Sequence, residues 1–165
     1  MAKILYLHRH GKARSTEAGM KDIDRELDAE GLRQCSRVGA FLSLSNAQVD
    51  AMISSHALRA IQSAEQVASQ ISYDISKICI ETELYEASVR IILQIVNEFN
   101  SDWDAVLIVG HNPTITYFSE YLTGHHFEGM EPGSLVKITC HVDDWQRVTN
   151  LNASFEYYKD STDLS

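Results

Sequence analysis

Apolar residues along this chain come in two rhythms. Short unbroken runs stand at Ile4-Leu5-Tyr6-Leu7, Ala51-Met52-Ile53, Ile78-Cys79-Ile80 and Ala105 to Val109. Runs of this length without alternation read as strands buried on both faces of a parallel sheet. Between them, apolar positions recur every three or four residues, the period of a helix packed along one side. Leu32, Cys35, Val38, Phe41 and Leu42 predict a helix that ends near Leu44, with Asp28 as its N-cap and Glu30 in its first turn. Leu58, Ile61, Ala64, Ala68 and Ile71 predict a second helix, and Val89, Ile92, Val96 and Phe99 a third. A fourth carries Ile115, Phe118, Tyr121 and Leu122, with Pro113 at its first position and Gly124 closing it.

From Leu135 the rhythm changes. Val136, Ile138, Cys140 and Val142 alternate with Leu135, Lys137, Thr139 and His141, the period of a half-exposed antiparallel strand. A turn near Asp143-Asp144, a strand from Ala153 to Tyr157 and a loose tail from about residue 158 complete the chain. Strands alternating with helices, closed by antiparallel strands, predict an α/β fold. Its form is a three-layer α/β/α sandwich with a mostly parallel central sheet, in one domain over residues 1–165.

Composition narrows the function more than the fold. The 165 residues are 44% hydrophobic and 22% charged, enough for one sizeable core. A net charge of −9 argues against a nucleic-acid partner or an anionic membrane surface. Cys35, Cys79 and Cys140 are odd in number and widely spaced, which fits reduced thiols in a cytoplasmic protein better than a disulfide framework or a zinc site. No run reaches transmembrane length, and the N-terminal run is too short for a signal peptide. A cytoplasmic monomer is the expectation.

Candidate chemistry stands where the apolar runs stop. Parallel strands present their carboxyl ends on one edge, where ligands of open α/β sheets bind. The first run stops on Arg9-His10-Gly11, and the second on Ser54-Ser55-His56 with Arg59 one turn beyond. The most hydrophobic run stops on Gly110-His111-Asn112-Pro113. The edge would gather two guanidiniums, two or three imidazoles and a helix N-terminus, a set suited to a phosphoryl group. Each has a plainer reading alone: Arg9 and His10 as a strand end reaching solvent, His111 as a helix-start device. Their agreement at three strand ends favours a phosphate pocket. Asp22, Asp24 and Arg25, on the polar loop from Gly11 to Arg25, read as an ion cluster that orders the loop and borders the groove. His8 and His10 alternate on one strand without the carboxylate or cysteine spacing of a metal site. His125-His126 reads as a surface loop, and Tyr6, Phe118 and Tyr121 as core or boundary aromatics.

In this order and spacing, Arg9-His10-Gly11, Ser54-Ser55, Arg59-Ala60, Gln62-Ser63-Ala64-Glu65 and Val109-Gly110-His111-Asn112-Pro113 resemble the histidine phosphatase superfamily, the phosphoglycerate-mutase-like fold. Asp22-Ile23-Asp24-Arg25-Glu26-Leu27 with Gly31 beyond, and the short length, are similar to its SixA-type branch of phosphohistidine phosphatases. The resemblance runs from about Lys3 to Asn112. It implies a metal-independent, cofactor-free phosphatase in which His10 is the nucleophile and Arg9, Arg59 and His111 grip the phosphoryl oxygens. Gly11 and Asn112 would complete the substrate-binding set. Glu86 matches the position of the proton donor in many members, with Glu83 as the fallback. His8 stands where the family usually has an apolar residue, and His56 where proline is frequent. The implied substrate is a phosphohistidine-bearing signalling protein such as a histidine phosphotransfer domain. A small phosphate ester and a non-catalytic phosphoprotein-binding role are the alternatives.

Overall fold

The computed structural model describes residues 1–164. Six strands form one sheet: β1 (Lys3–Arg9), β2 (Ala51–Ser54), β3 (Cys79–Ile80), β4 (Ala105–Gly110), β5 (Leu135–Cys140) and β6 (Ala153–Lys159). Their order is β3-β2-β4-β1-β5-β6. The first four in that order run parallel, and β5 and β6 are antiparallel. Four helices connect them: α1 (Ala29–Leu44), α2 (Leu58–Gln70), α3 (Val89–Asn97) and α4 (Thr114–Thr123).

The unbroken apolar runs of β1, β2 and β4 arise because both faces of the sheet are covered, whereas β3, expected to be buried, is an exposed two-residue edge strand in which Ile80 is 48% exposed. Leu5, Leu7, Val106, Ile108 and Val136 pack with Ile92 and Val96 of α3 and Ile115, Phe118 and Leu122 of α4. Tyr6, Leu107, Val109 and Leu135 pack on the other face with Val38 and Leu42 of α1 and Ala60, Ala64 and Val67 of α2. The helix caps follow local chemistry. Asp28 accepts a hydrogen bond from Gly31 N–H, Ser88 accepts one from Ile91 N–H, and Gly124 closes α4 at a φ of 71°.

Register places the site. Arg9 pairs with Gly110, and Val109 pairs with Ser54. With strands spaced about 4.8 Å apart, the ends of β1, β4 and β2 lie within roughly 10 Å of one another.

Some expectations need correction. Leu32 (39%), Leu58 (36%) and Tyr121 (40%) are exposed, not core. The buried face of α2 is Arg59, Ala60, Ser63, Ala64, Val67 and Ala68, turned away from Ile61 because α1 and α2 meet through small residues. A Cβ on Gly39 would lie 2.6 Å from Gln70 Cβ, so larger side chains cannot occupy that seam. Pro113 is the N-cap of α4, one residue ahead of the expected position, and its carbonyl accepts the Tyr117 N–H. Phe99 falls just beyond α3 and packs edge-on against Trp145, at 5.3 Å between ring centroids. Trp145 is wholly buried, although it lies in the stretch expected to be a turn. Finally, β6 extends to Lys159. The residues after it form a turn in which Asp160 accepts from Thr162 and Asp163, and Leu164 packs against the α1/α2 core, so the chain is held past residue 158. Among the described residues, no helix is long and apolar enough to cross a membrane.

Candidate active site

His10 follows the last residue of β1. Its N–H donates to Gly110 O at 3.2 Å, and Gly133 N–H donates to the carbonyls of Arg9 (3.1 Å) and His10 (3.0 Å), so the backbone here is held from both sides. Gly11 is the residue that lets α1 approach. A Cβ there would lie 2.6 Å from Gly31 O and 3.0 Å from Cys35 Sγ, and its N–H donates to Ser63 Oγ at 3.0 Å. The His10 ring then takes a defined tautomer. Its Nδ1 lies 2.7 Å from Gly11 O, and a carbonyl can only accept, so Nδ1 carries the proton. Nε2 keeps its lone pair and receives the Arg59 Nε–H at 3.3 Å. Burial pushes the His10 pKa down to about 3, helped by His111, Arg59 and Arg9 and opposed by the Gly11 carbonyl. A neutral imidazole with a directed lone pair is the form a nucleophile needs.

Arg59 reaches this point because α2 turns it inward, where it is only 5% exposed. Arg9 donates through Nη1 to Met130 O at 2.7 Å, while its Nε is buried without a partner. His111 lies with its ring centroid 5.0 Å from that of His10. Its Nε2 is 2.8 Å from Ser55 Oγ, which already accepts the Ala57 N–H. The Ser55 hydroxyl can donate to Nε2, and in that tautomer the proton sits on His111 Nδ1, an atom that is buried and unpartnered. Burial, reinforced by Arg59, pulls His111 to about 4. A buried donor without an acceptor costs about 1–3 kcal/mol. Two such donors beside one lone pair describe a seat for an oxyanion.

A cleft of about 330 Å³ opens beside this seat, and Asp22, Arg59, Tyr85, Glu86, His111 and Asn112 are among the residues lining it. Glu86 is exposed, has no salt-bridge partner among the described residues, and sits at a φ of 57°, in the left-handed region that costs a side chain strain. Glu83 lines a different cavity, with Ile80, Glu98, Phe99 and Trp103. Of the two carboxylates, Glu86 is the one in the cleft. The Asn112 amide is engaged elsewhere: Nδ2 donates to Met130 O at 3.1 Å, and Oδ1 accepts from Thr116 Oγ1 at 2.6 Å. Asn112 thus holds the same carbonyl as Arg9, building the wall of the seat.

The linear pattern missed Tyr85 and the reach of Asp22. The Asp22 carboxylate is expected to order its own loop with Arg25 and to border the groove; it lines the cleft and receives Arg25 Nε at 2.9 Å. It also receives Arg59 Nη2 at 3.0 Å and the Tyr85 hydroxyl at 2.6 Å. Tyr85 sets its ring edge-on to both His111 and His56, at 5.5 Å from each. These contacts span 37 and 63 residues of chain, so no local spacing announces them.

His8 is wholly buried, and the cleft is not lined by it. Its Nδ1 donates to Ser134 O at 2.9 Å, its Nε2 has no partner, and burial pulls its pKa down to about 4. The folded state holds this ring neutral while an unfolded chain protonates it near 6.5. Stability is therefore intact above that pH and is lost as pH falls towards 4, by up to about 3 kcal/mol from this ring. In His8→Met, thermal melts recorded from pH 7 to pH 4 should lose less stability across that window than in the parent. An equally steep loss would remove His8 from the account. Cys35 and Cys140 are buried with thiols pushed up to about 11 and about 12 by desolvation, and Cys79 is exposed; all three are free.

Comparison with known proteins gives the family and the fold. The model of the histidine phosphatase superfamily (branch 1) matches residues 5–91. An uncharacterised protein of Mycobacterium tuberculosis H37Rv, Rv1276c, is 30% identical over 106 residues, which covers 64% of this chain and 63% of the relative's length. A Nakamurella multipartitia structure with a provisional designation as phosphohistidine phosphatase SixA is 25% identical. It superposes with a TM-score of 0.80 over 96% of both chains. The protein histidine phosphatase SixA in complex with tungstate is 21% identical and shares the fold, with a TM-score of 0.84 over 98% of this chain and 99% of its own. With the seat at the expected strand ends, a family model that matches more than half the sequence and these superpositions, the chain belongs to the histidine phosphatase superfamily, branch 1, in its SixA-type form.

Proposed function

We propose that this protein is a metal-independent phosphohistidine phosphatase that acts on a His-phosphorylated protein. The observation that carries this reading is the neutral His10 Nε2, which faces Arg59 beside the unpartnered donors of Arg9 and His111. Nε2 attacks phosphorus and the P–N bond to the substrate imidazole breaks. The electron pair of that bond goes to the leaving nitrogen, which takes up a proton from the Glu86 carboxyl. Water then gives a proton back to Glu86 as it attacks the phosphorus on His10, the bond to Nε2 breaks, and phosphate leaves with the ring restored. Arg9, Arg59 and His111 stabilise the charge that spreads over the equatorial oxygens in both steps. The two guanidiniums supply the cationic charge that a metal ion supplies in other phosphoryl-transfer sites. Turnover is accordingly expected to be unchanged by excess chelator, and a loss reversed by added divalent cation would overturn that part of the reading.

The cleft supports the substrate class. Beyond the seat its lining presents the carboxylates of Asp22 and Glu86 and the Tyr85 ring, with no cation besides Arg59 among the lining residues. Such a wall offers nothing to a second phosphate and suits a leaving imidazole, which is neutral or cationic. The exposed position of Glu86 leaves room for a bulky protein.

The test compares phosphate release from a His-phosphorylated phosphotransfer domain with that from an aryl phosphate ester. The phosphoprotein should be the better substrate by kcat/KM. Turnover of the ester alone would move the reading to a small phosphomonoester. Glu86→Gln should lower kcat on the ester by about a hundredfold, the low end for general acid catalysis, and affect the phosphoprotein less, because an imidazole leaves more easily than an aryl oxide. Glu83→Gln should leave both unchanged. Equal effects of the two substitutions would exclude Glu86 as the proton donor.

A further inference from the structure

Arg59 has the least freedom of the groups in the seat. Its Nη1 donates to the Asp22 backbone carbonyl at 2.9 Å, and its Nη2 to Asp22 Oδ2 at 3.0 Å. The end of the guanidinium fork, the face that best grips a carboxylate or phosphate in two parallel bonds, is thus already closed on Asp22, one nitrogen on its carboxylate and the other on its backbone carbonyl. Only the Nε edge is turned to His10. The carboxylate is fixed in turn by the Tyr85 hydroxyl at 2.6 Å and Arg25 Nε at 2.9 Å, although it stands 47% exposed at the cleft. A buried guanidinium tied to a half-exposed carboxylate in the cleft wall puts the fixed end of Arg59 at the site as well as at the loop.

We propose that Asp22 is a positioning residue for phosphoryl transfer: by occupying the forked end of Arg59 it makes Arg59 serve His10 and the transferring phosphoryl group through its Nε edge, and it denies that fork to free phosphate. The inference rests on the reading of the seat as a phosphoryl site. Phosphoryl transfer needs a donor aimed at the oxygens where charge develops, whereas product release needs a weak grip on the product. Asp22 serves both by sacrificing the stronger grip. Without its carboxylate, Nη2 is freed to take phosphate, which holds the product tighter and draws the Nε edge away from the transferring group.

The consequence is a pair of opposite movements that a merely structural role would not produce. In Asp22→Ala, inorganic phosphate measured by calorimetry should bind about tenfold tighter, the worth of one charge-assisted hydrogen bond, while kcat in the assays above falls. Asp24→Asn removes the same charge two residues away, at an exposed position, and should do neither. Tyr85→Phe keeps the carboxylate and loses its 2.6 Å bond, so it should move both quantities the same way by a smaller factor. It carries the test alone if Asp22→Ala does not fold. Asp22→Asn keeps an oxygen for Arg59 Nη2 and should recover part of the parent behaviour. Phosphate binding that is unchanged or weaker in a folded Asp22→Ala or Tyr85→Phe, with phosphate bound by the parent, overturns the proposal and leaves the seat intact. Equal tightening in Asp24→Asn also overturns it, in favour of bulk charge. Phosphate bound by neither parent nor variants would overturn the proposal together with the reading of the seat.

Discussion

His10→Ala is expected to release no phosphate above the background of the assay, a fall of four orders of magnitude or more, on the roughly 10⁴–10⁶ scale seen when a covalent nucleophile is removed. The size follows from what no neighbour can replace. Nε2 of His10 is the nucleophilic lone pair in the seat, held only by the long 3.3 Å contact from Arg59 Nε, whereas His111 Nε2 is tied to Ser55 Oγ at 2.8 Å and guanidiniums cannot attack. The parent enzyme, quenched during turnover, should carry phosphate that is stable in alkali and labile in acid, as a phosphoramidate is; His10→Ala should carry none. Because Nδ1 is tied to Gly11 O, the phosphate belongs on Nε2. His10→Ala that still turned over substrate, or a phosphate on another residue, would end the mechanism. The thermal stability of this variant should change less than its activity, since His10 is partly exposed and its ring bonds are one to the carbonyl of the adjacent Gly11 and one long contact from Arg59 Nε at 3.3 Å.

Arg59→Ala should show the next largest effect. Removing one donor from an oxyanion site costs about 10²–10³ in kcat, and here the same change also takes from the Asp22 carboxylate one of its three partners, leaving Arg25 and Tyr85. It should also lower the melting temperature, because a buried side chain that ties α2 to the loop carrying Asp22 is lost. Arg59→Lys separates charge from geometry. An ammonium keeps the positive charge but cannot serve His10 through one nitrogen and hold Asp22 with two others, so it should restore less than a tenth of the lost rate if geometry governs. Recovery of most of the rate by Lys would show that charge alone matters there, and would weaken the role assigned to Asp22.

Much of the scaffold was legible because it obeys local rules. The unbroken runs of β1, β2 and β4 and the helical period between them follow from burial on two faces or on one, and each rule needs only near neighbours. The caps at Asp28 and Gly124 are equally local. Arg9, His10, Arg59 and His111 could be read as one group because parallel strands with helical crossovers must bring their carboxyl ends together, so a position along a strand already implies a position in space. The misjudged helix faces have the opposite origin. Ile61, Leu58 and Tyr121 keep the helical period, but which side of a helix is inside depends on the neighbour it meets. The seam at Gly39 and Gln70 selected the side carrying Arg59 and Ser63.

The roles of individual site residues divide the same way. Periodicity and chain direction were enough to read the layers, the strand ends and the gathering of Arg9, His10, Arg59 and His111 at one edge of the sheet. How those groups are used depends on long-range packing. The tautomer of His10 depends on a carbonyl one residue away in a backbone conformation that no spacing specifies, and the state of His111 depends on Ser55, 56 residues away. Asn112 was turned from the substrate to Met130, Glu86 rather than Glu83 was brought into the cleft, and Asp22 was set on the fork of Arg59. Hydrogen bonds are short-ranged and directional, so they depend on where distant segments finally pack, and that information appears in the sequence only through the whole fold.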